Sequence, residues 1–343
     1  MVTLTENSGN ADGYDENNDG NSNEDGYDVV VVGGGAAGLS AALVLGRARR
    51  RTLVVDAGEP RNAPSAHMHG YLSRDGMAPA DFLAAGREEI AGYGVELERD
   101  RAMTASRDAN PTPDGRAPGG FTVTLASGRT VRARHLIVAT GLRDDLPPVP
   151  GVAERFGRDV IHCPYCHGWE SRDLPTGVLA TSPLSAHQAL MVTQWSDDVR
   201  LFLHEVRESD LAEEDRRRLA AAGVEVVPGE VSGLVVSDDR LTGVRLGDGT
   251  VHERAVLYVA PRAVPRDELL TALGAEMRET PFGRYPVIDE RGLTSVPGLW
   301  AAGNASGFAE QVVNAASRGY RAGATINGEL LFADLDAKAG EPA

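Results

Sequence analysis

Two kinds of hydrophobic patterning alternate along this chain. Short unbroken apolar runs, as expected of parallel strands buried on both faces, are followed by stretches with helical spacing. The first run is Tyr27-Asp28-Val29-Val30-Val31-Val32; Gly33-Gly34-Gly35-Ala36-Ala37-Gly38 follows it, and Leu39 to Arg49 reads as a helix. A second strand, Thr52 to Asp56, ends in a carboxylate. Between 119 and 134 the pattern alternates as a hairpin, Phe121 to Leu125 and Thr130 to Arg134 about a turn at Ser127-Gly128. It runs on into Leu136-Ile137-Val138-Ala139-Thr140-Gly141, and Pro147, Pro148 and Pro150 mark a crossover.

The alternation then starts again. Strands are expected at 177–181, 199–203 and 224–227, with helices at 185–195 and 210–222 between them. A last segment passes through Tyr285-Pro286-Val287-Ile288-Asp289 and Thr294-Ser295-Val296-Pro297-Gly298 to Ala302-Gly303-Asn304. A helix starting near Gln311 runs towards Leu330, and residues after Asp334 read as a frayed end. The fold class is α/β, with two Rossmann-like dinucleotide-binding domains.

Residues 1–26 fit neither pattern. They carry seven carboxylates (Glu6, Asp12, Asp15, Glu16, Asp19, Glu24, Asp25) and no basic residue, which reads as a disordered acidic tail. The whole chain has a net charge of -16 over 343 residues, which argues against nucleic acid or an anionic membrane as partner. No apolar run approaches a membrane span and no secretory signal is evident, so the expected location is cytoplasmic.

The glycine turn carries the first chemistry. In a Gly33-x-Gly35-x-x-Gly38 turn between strand and helix, Gly33 permits the bend, Gly35 lets a pyrophosphate reach the backbone, and Gly38 lets the helix pack closely. The helix start, with Ala36 and Ala37, faces the phosphates, and Asp56 can accept hydrogen bonds from a ribose. The hairpin leading into Ala139-Thr140-Gly141 resembles the run that closes the first domain in many two-dinucleotide flavoproteins, a resemblance that implies FAD rather than a nicotinamide as the dinucleotide. The second domain has no such turn: its first strand ends in Thr181-Ser182-Pro183-Leu184-Ser185, with Ser182 read as a helix cap. After its next strand, His204-Glu205-Val206-Arg207-Glu208 sets one arginine between two carboxylates, a poor site for a 2'-phosphate.

The second chemistry lies in His162-Cys163-Pro164-Tyr165-Cys166-His167-Gly168-Trp169, which holds the only two cysteines. A Cys-x-x-Cys on a turn entering a helix suits a disulfide that opens readily, one thiolate being stabilised by the helix N-terminus and by imidazolium. Zinc would need His162 and His167 as further ligands, each adjacent to a cysteine, and one short run cannot easily wrap a tetrahedron; no metal is expected. An inert pair of buried thiols is the other bland alternative.

From Tyr27 to about Leu331 the ordered motifs resemble the low-molecular-weight thioredoxin reductase family. The resemblance implies a discontinuous FAD domain, 27–148 with 263–343, around an inserted domain, 149–262, in a homodimer. It also implies FAD contacts at Ala57, Arg61, Asn62, His69, Gly303, Asn304, Gln311 and Val312, while His67 reads as equally a surface position. Three departures stand out: His167 and Asn304 where that family has aspartate, and Ser182-Pro183 in place of an intact nicotinamide turn. With Cys-Pro-Tyr-Cys-His, they resemble the branch of dithiol oxidases that close holomycin- and gliotoxin-type disulfides. The resemblance implies that Cys163 exchanges with a small-molecule dithiol and that Cys166 passes electrons to FAD, then to oxygen, giving hydrogen peroxide. His167 is the first choice as base and His162 the second, against the bland role of capping a helix or lying under Trp169. Two alternatives remain: an NADPH-driven reductase of a thioredoxin-like protein, and a non-catalytic flavin redox sensor.

Overall fold

The computed structural model describes residues 26–108 and 120–340. All of the expected acidic tail but Gly26 lies outside them, as does Gly119 at the start of the expected hairpin. The chain begins with β1 (Tyr27–Val32), α1 (Ala36–Arg47), β2 (Thr52–Val55), α2 (Pro79–Ala91) and β3 (Glu96–Glu98). It continues through β4 (Ala102–Arg107), β5 (Phe121–Leu125) and β6 (Thr130–Val138). These strands form a sheet of order β3-β2-β1-β6-β5-β4, parallel from β3 to β6 and antiparallel beyond.

β1 is unbroken in apolar residues because both of its faces are covered. Val29 and Val31 pack with Ala41 and Leu45 of α1, while Val30 and Val32 pack with Phe121, Val123 and Leu136. α1 starts at Ala36, earlier than Leu39, because Gly35 already takes the N-cap conformation. It ends at Arg47 rather than Arg49, because Arg49 turns into the left-handed region at φ 62°.

After β7 (Leu142–Asp145) and α3 (Val152–Arg155), a second unit begins with β8 (Val160–Ile161) and α4 (Pro164–His167). There follow β9 (Thr176–Leu179), α5 (Ser185–Val192), β10 (Val199–Phe202), α6 (Glu213–Ala221) and β11 (Glu225–Val227). An antiparallel sheet of β12 (Val231–Ser237), β13 (Arg240–Leu246) and β14 (Val251–Glu253) intervenes before β15 (Val256–Val259) and β16 (Arg262–Pro265). The parallel sheet has the order β11-β10-β9-β15-β8, and β16 pairs antiparallel with β7, tying the exit of this unit to its entrance.

Three expectations for this unit shift. α5 stops at Val192, before Trp195, and a short 3-10 turn at Glu208–Asp210 delays α6 to Glu213. Ser182 is not a helix cap, because a turn separates it from α5; there Ser185 Oγ accepts from the Thr181 N–H at 3.1 Å.

The chain returns through α7 (Glu268–Ala272), the hairpin β17 (Met277–Thr280) and β18 (Gly283–Pro286), and β19 (Leu299–Ala301), which pairs parallel with β6. The last helix, α8 (Val312–Ala339), crosses α1 where Gly319 meets Ala37: a Cβ at 319 would sit 1.9 Å from the Ala37 carbonyl oxygen. α8 does not fray at Asp334. Arg50 and Arg134 pair with that carboxylate at 2.7 and 3.0 Å, and Gly340 closes the helix at φ 76°. Among the described residues no helix is long and apolar enough to cross a membrane.

Candidate functional site

A cleft of about 1100 Å³ opens between the first sheet and the second unit, and its floor is the turn after β1. Gly33 turns with φ 110°, and a Cβ on it would lie 2.3 Å from the Ala139 carbonyl oxygen. Gly38 is off the cleft wall and permits close packing instead, since a Cβ there would fall 1.8 Å from the Gly33 carbonyl oxygen. Gly35 differs from both: a Cβ would meet nothing within 4 Å, so its missing side chain leaves open space over the first turn of α1. Such a cradle fits a pyrophosphate against backbone N–H groups.

Asp56 sits at the end of β2 on the same wall, accepting from the Gly34 N–H at 3.0 Å, with Arg99 3.5 Å from its second oxygen. Ala36, Ala37, Ala57, Asn62, Ala139, Thr140, Gly141, Gly303 and Val312 also line the cleft. Arg61 binds Asp144 through two 2.8 Å hydrogen bonds and reaches Asn304 Oδ1 and the Phe308 carbonyl, each at 3.4 Å. Asn304 donates both amide hydrogens to its own loop, to the Gly307 and Phe308 carbonyls at 3.0 and 2.9 Å. It therefore has no hydrogen left for a phosphate and instead shapes the loop that delivers Gln311.

Gln311 leads to the cysteines. Cys163 caps the single turn of α4, and it forms a disulfide with Cys166, whose Cα is 5.2 Å away. Gln311 spans both sulfurs, its Nε2 donating towards Cys163 Sγ at 3.5 Å and its Oε1 lying 3.3 Å from Cys166 Sγ. Both cysteines line the cleft, so the pair is not an inert core packing.

The histidines beside them are both held below the ordinary imidazole pKa. Burial pushes His167 below its ordinary pKa of 6.5; Glu170 opposes that shift, and His69 and His67 add to it. His162 is likewise lowered, by burial and then by Arg61, against Asp144. A helix of one turn adds little dipole to support a thiolate. His167 Nε2 lies 3.0 Å from Ser65 Oγ, and both residues line the cleft; His167 Nδ1 is buried without a hydrogen-bond partner. His69 is not on the cleft wall; its ring is turned towards His167, Asp75 and Glu170.

The corresponding turn of the second unit has no glycine. Pro183 and Leu184 occupy it, the Thr181 hydroxyl donates to the Ala260 carbonyl at 2.7 Å, and Arg207 is engaged by Asp210 at 3.0 Å.

Residues 27–319 match the pyridine nucleotide-disulphide oxidoreductase family. The chain belongs to that family. This oxidoreductase is 32% identical to the thioredoxin reductase sirT of Leptosphaeria maculans, over 91% of this chain and 97% of that protein. It is also 32% identical to the thioredoxin reductase tcpT of Claviceps purpurea, over 90% and 95%. Its fold matches the crystal structure of HlmI with a TM-score of 0.86 and 50% identity, covering 93% of this chain and 97% of that one. It is thus a thioredoxin reductase-like oxidoreductase, and family membership implies a flavin cofactor.

Sequence reasoning missed three participants in this oxidoreductase site: Ser65, Asp144 and Glu170. Glu170 directly follows the quoted motif and was within reach. Ser65 and Asp144 are neighbours of the histidines only through folding, and no local pattern marks them.

Proposed function

We propose that this oxidoreductase is an FAD-dependent dithiol oxidase, closing a disulfide within a small-molecule dithiol of the dithiolopyrrolone or epidithiol class and passing the electrons to oxygen as hydrogen peroxide. One observation carries the reading: the Cys163–Cys166 disulfide shares a single cleft with the glycine cradle, and an imidazole whose pKa burial lowers, His167, lines that cleft directly after the second cysteine. The 50% identity to HlmI supports it, as does the glycine-free turn at Pro183. In the same reading 27–148 and 263–343 form the FAD domain, 149–262 is the inserted domain, and the protein works as a cytoplasmic homodimer.

FAD would lie along Gly33, Gly35, Ala36 and Ala37, with its ribose at Asp56 and its remainder against Asn62, Thr140, Gly303 and Gln311. When bound, it supplies the acceptor for the two electrons of the reduced cysteine pair and the donor to oxygen. The chain's own residues handle sulfur and protons. A substrate thiol gives its proton to His167 as its sulfur bonds to Cys163, and Cys166 leaves with the electron pair of the broken S–S bond. The second substrate thiol then displaces Cys163 and the cyclic disulfide departs. Gln311 Nε2, placed at the sulfurs, can donate to a thiolate. His162, beside Arg61 and Asp144, is the second candidate base.

A second reading is favoured by the names of sirT and tcpT, namely reduction of a thioredoxin-like protein by NADPH. Oxygen uptake and peroxide formation with dithiothreitol and with a dithiolopyrrolone dithiol separate the two. The oxidase consumes one oxygen and forms one peroxide per disulfide closed, and loses both with Cys163→Ser or Cys166→Ser. NADPH-driven turnover of a protein disulfide, without dithiol oxidation, would establish the reductase.

A further inference from the structure

Of the two ring nitrogens of His167, one is sealed in the protein and the other faces a hydroxyl. We propose that Ser65 is a catalytic residue of this site, its hydroxyl receiving the proton of the substrate thiol while handing its own to His167 Nε2. The proposal rests on the dithiol reading and adds a residue to it.

A neutral imidazole takes a proton only at the ring nitrogen that carries no hydrogen, through a single lone pair in the ring plane. Nδ1 of His167 is buried without a hydrogen-bond partner, out of reach of a molecule bound in the cleft. Nε2 is therefore the nitrogen that serves as base, and Ser65 Oγ lies 3.0 Å from it. With the proton of the neutral ring on Nδ1, the Ser65 O–H donates to the Nε2 lone pair, and a thiol meets that hydroxyl before it meets the ring. Ser65 lines the cleft together with His167 and both cysteines. A hydroxyl suits the task because it donates one hydrogen and accepts through two lone pairs, so it can lose and gain a proton in one movement without becoming charged. Both partners are held in place. The Ser65 N–H donates to the Asn62 carbonyl at 3.0 Å, and the preceding Pro64 is seated on Gly157, where a Cβ would fall 2.3 Å from the Pro64 carbonyl oxygen. The His167 N–H donates to the Cys163 carbonyl at 3.2 Å, and its own carbonyl accepts from the Ser171 hydroxyl at 2.9 Å. The titratable groups facing His167 are Glu170, His69 and His67. His69 meets the ring only edge to face, with centroids 6.4 Å apart, and among the described residues Ser65 is the group hydrogen-bonded to it.

In the first displacement the substrate S–H bond breaks and its proton moves to Ser65 Oγ, as the Ser65 O–H proton moves to His167 Nε2. The hydroxyl is regenerated and the positive charge rests on His167. The substrate sulfur bonds to Cys163, the Cys163–Cys166 bond breaks, and its electron pair remains on Cys166 as thiolate, the enzyme disulfide being the oxidant. In the second displacement the other thiol's proton ends on the departing Cys163. Once the cyclic disulfide has left, the His167 proton returns through the same hydroxyl to water, which restores the base.

Ser65→Thr and Ser65→Val test the hydroxyl, since the two replacements share a shape and differ in one O–H. Oxygen uptake is followed with dithiothreitol from neutral pH to above the thiol's own pKa. Ser65→Thr should turn over close to the wild-type rate throughout. Ser65→Val should lose turnover severalfold near neutral pH at unchanged KM and approach wild type as the pH rises, because a substrate that arrives as thiolate needs no proton path. Ser65→Val at the wild-type rate near neutral pH, an equal loss in both variants, or a loss that high pH does not lift would overturn the role of Ser65 while leaving dithiol oxidation standing. Absence of oxygen uptake by wild type with any dithiol would instead overturn the dithiol reading, and the role of Ser65 with it.

Discussion

At position 167 an imidazole stands where the thioredoxin reductases that the sequence resembles have a carboxylate, and burial lowers its pKa. A neutral base suits substrates whose thiols must be deprotonated. His167→Gln should lower dithiol oxidation by about 10²- to 10⁴-fold, the usual contribution of a positioned base. Since burial holds its pKa below 6.5, the wild-type rate should fall only on the acid side of that value, and this limb should vanish in the variant; a pH–rate profile of both checks it. His135 makes a second residue-level prediction. It accepts from the Trp300 indole at 3.3 Å, and burial, helped by Arg134 and Arg50, pushes it down to about 4. The unfolded chain then binds more protons between 6.5 and about 4, so stability is lost as pH falls through that window. His135→Gln, which keeps an acceptor for the indole, should flatten the fall in denaturant midpoints. The place of His167 beside the disulfide was legible because it stands in the motif. Its partner Ser65 was not, since only the docking of the loop after β2 brings them together.

Elements whose residues are buried on both faces were the most legible. β1 was bounded correctly because its neighbours cover each face in turn, and the Gly33 turn because only glycine meets its steric demands. Ends decided by distant partners were not: α8 outlasts Asp334 because Arg50 and Arg134 come from elsewhere in the fold. The antiparallel sheet from Val231 to Glu253 also escaped the reading, its alternation being short and interrupted. Two glycines separate cofactor binding from packing. Gly319→Ala would press a methyl group into the Ala37 carbonyl and should cost about 1–3 kcal/mol of stability, read by denaturant unfolding. Gly35→Ala enters open space, so the cofactor-free protein should keep its stability while flavin retention drops; equal destabilisation by both would contradict the cradle.

Across the whole molecule, the two sheets hold one disulfide and one glycine cradle in a common cleft, while the corresponding turn of the second unit carries Ser182-Pro183-Leu184 and no glycine. The alternation of strands and helices, the glycine turn and the Cys-x-x-Cys could be read from pattern and spacing, whereas the meeting of turn and cysteines in one cleft depends on how the units dock. Electrons should therefore enter from a dithiol and not from NADPH. The most direct test is an anaerobic titration of the flavin's visible absorbance, once with NADPH and once with dithiothreitol, followed by air. Bleaching by the dithiol alone, with recovery and peroxide on aeration, is the predicted result. Rapid bleaching by NADPH, with dithiothreitol inert, would contradict it.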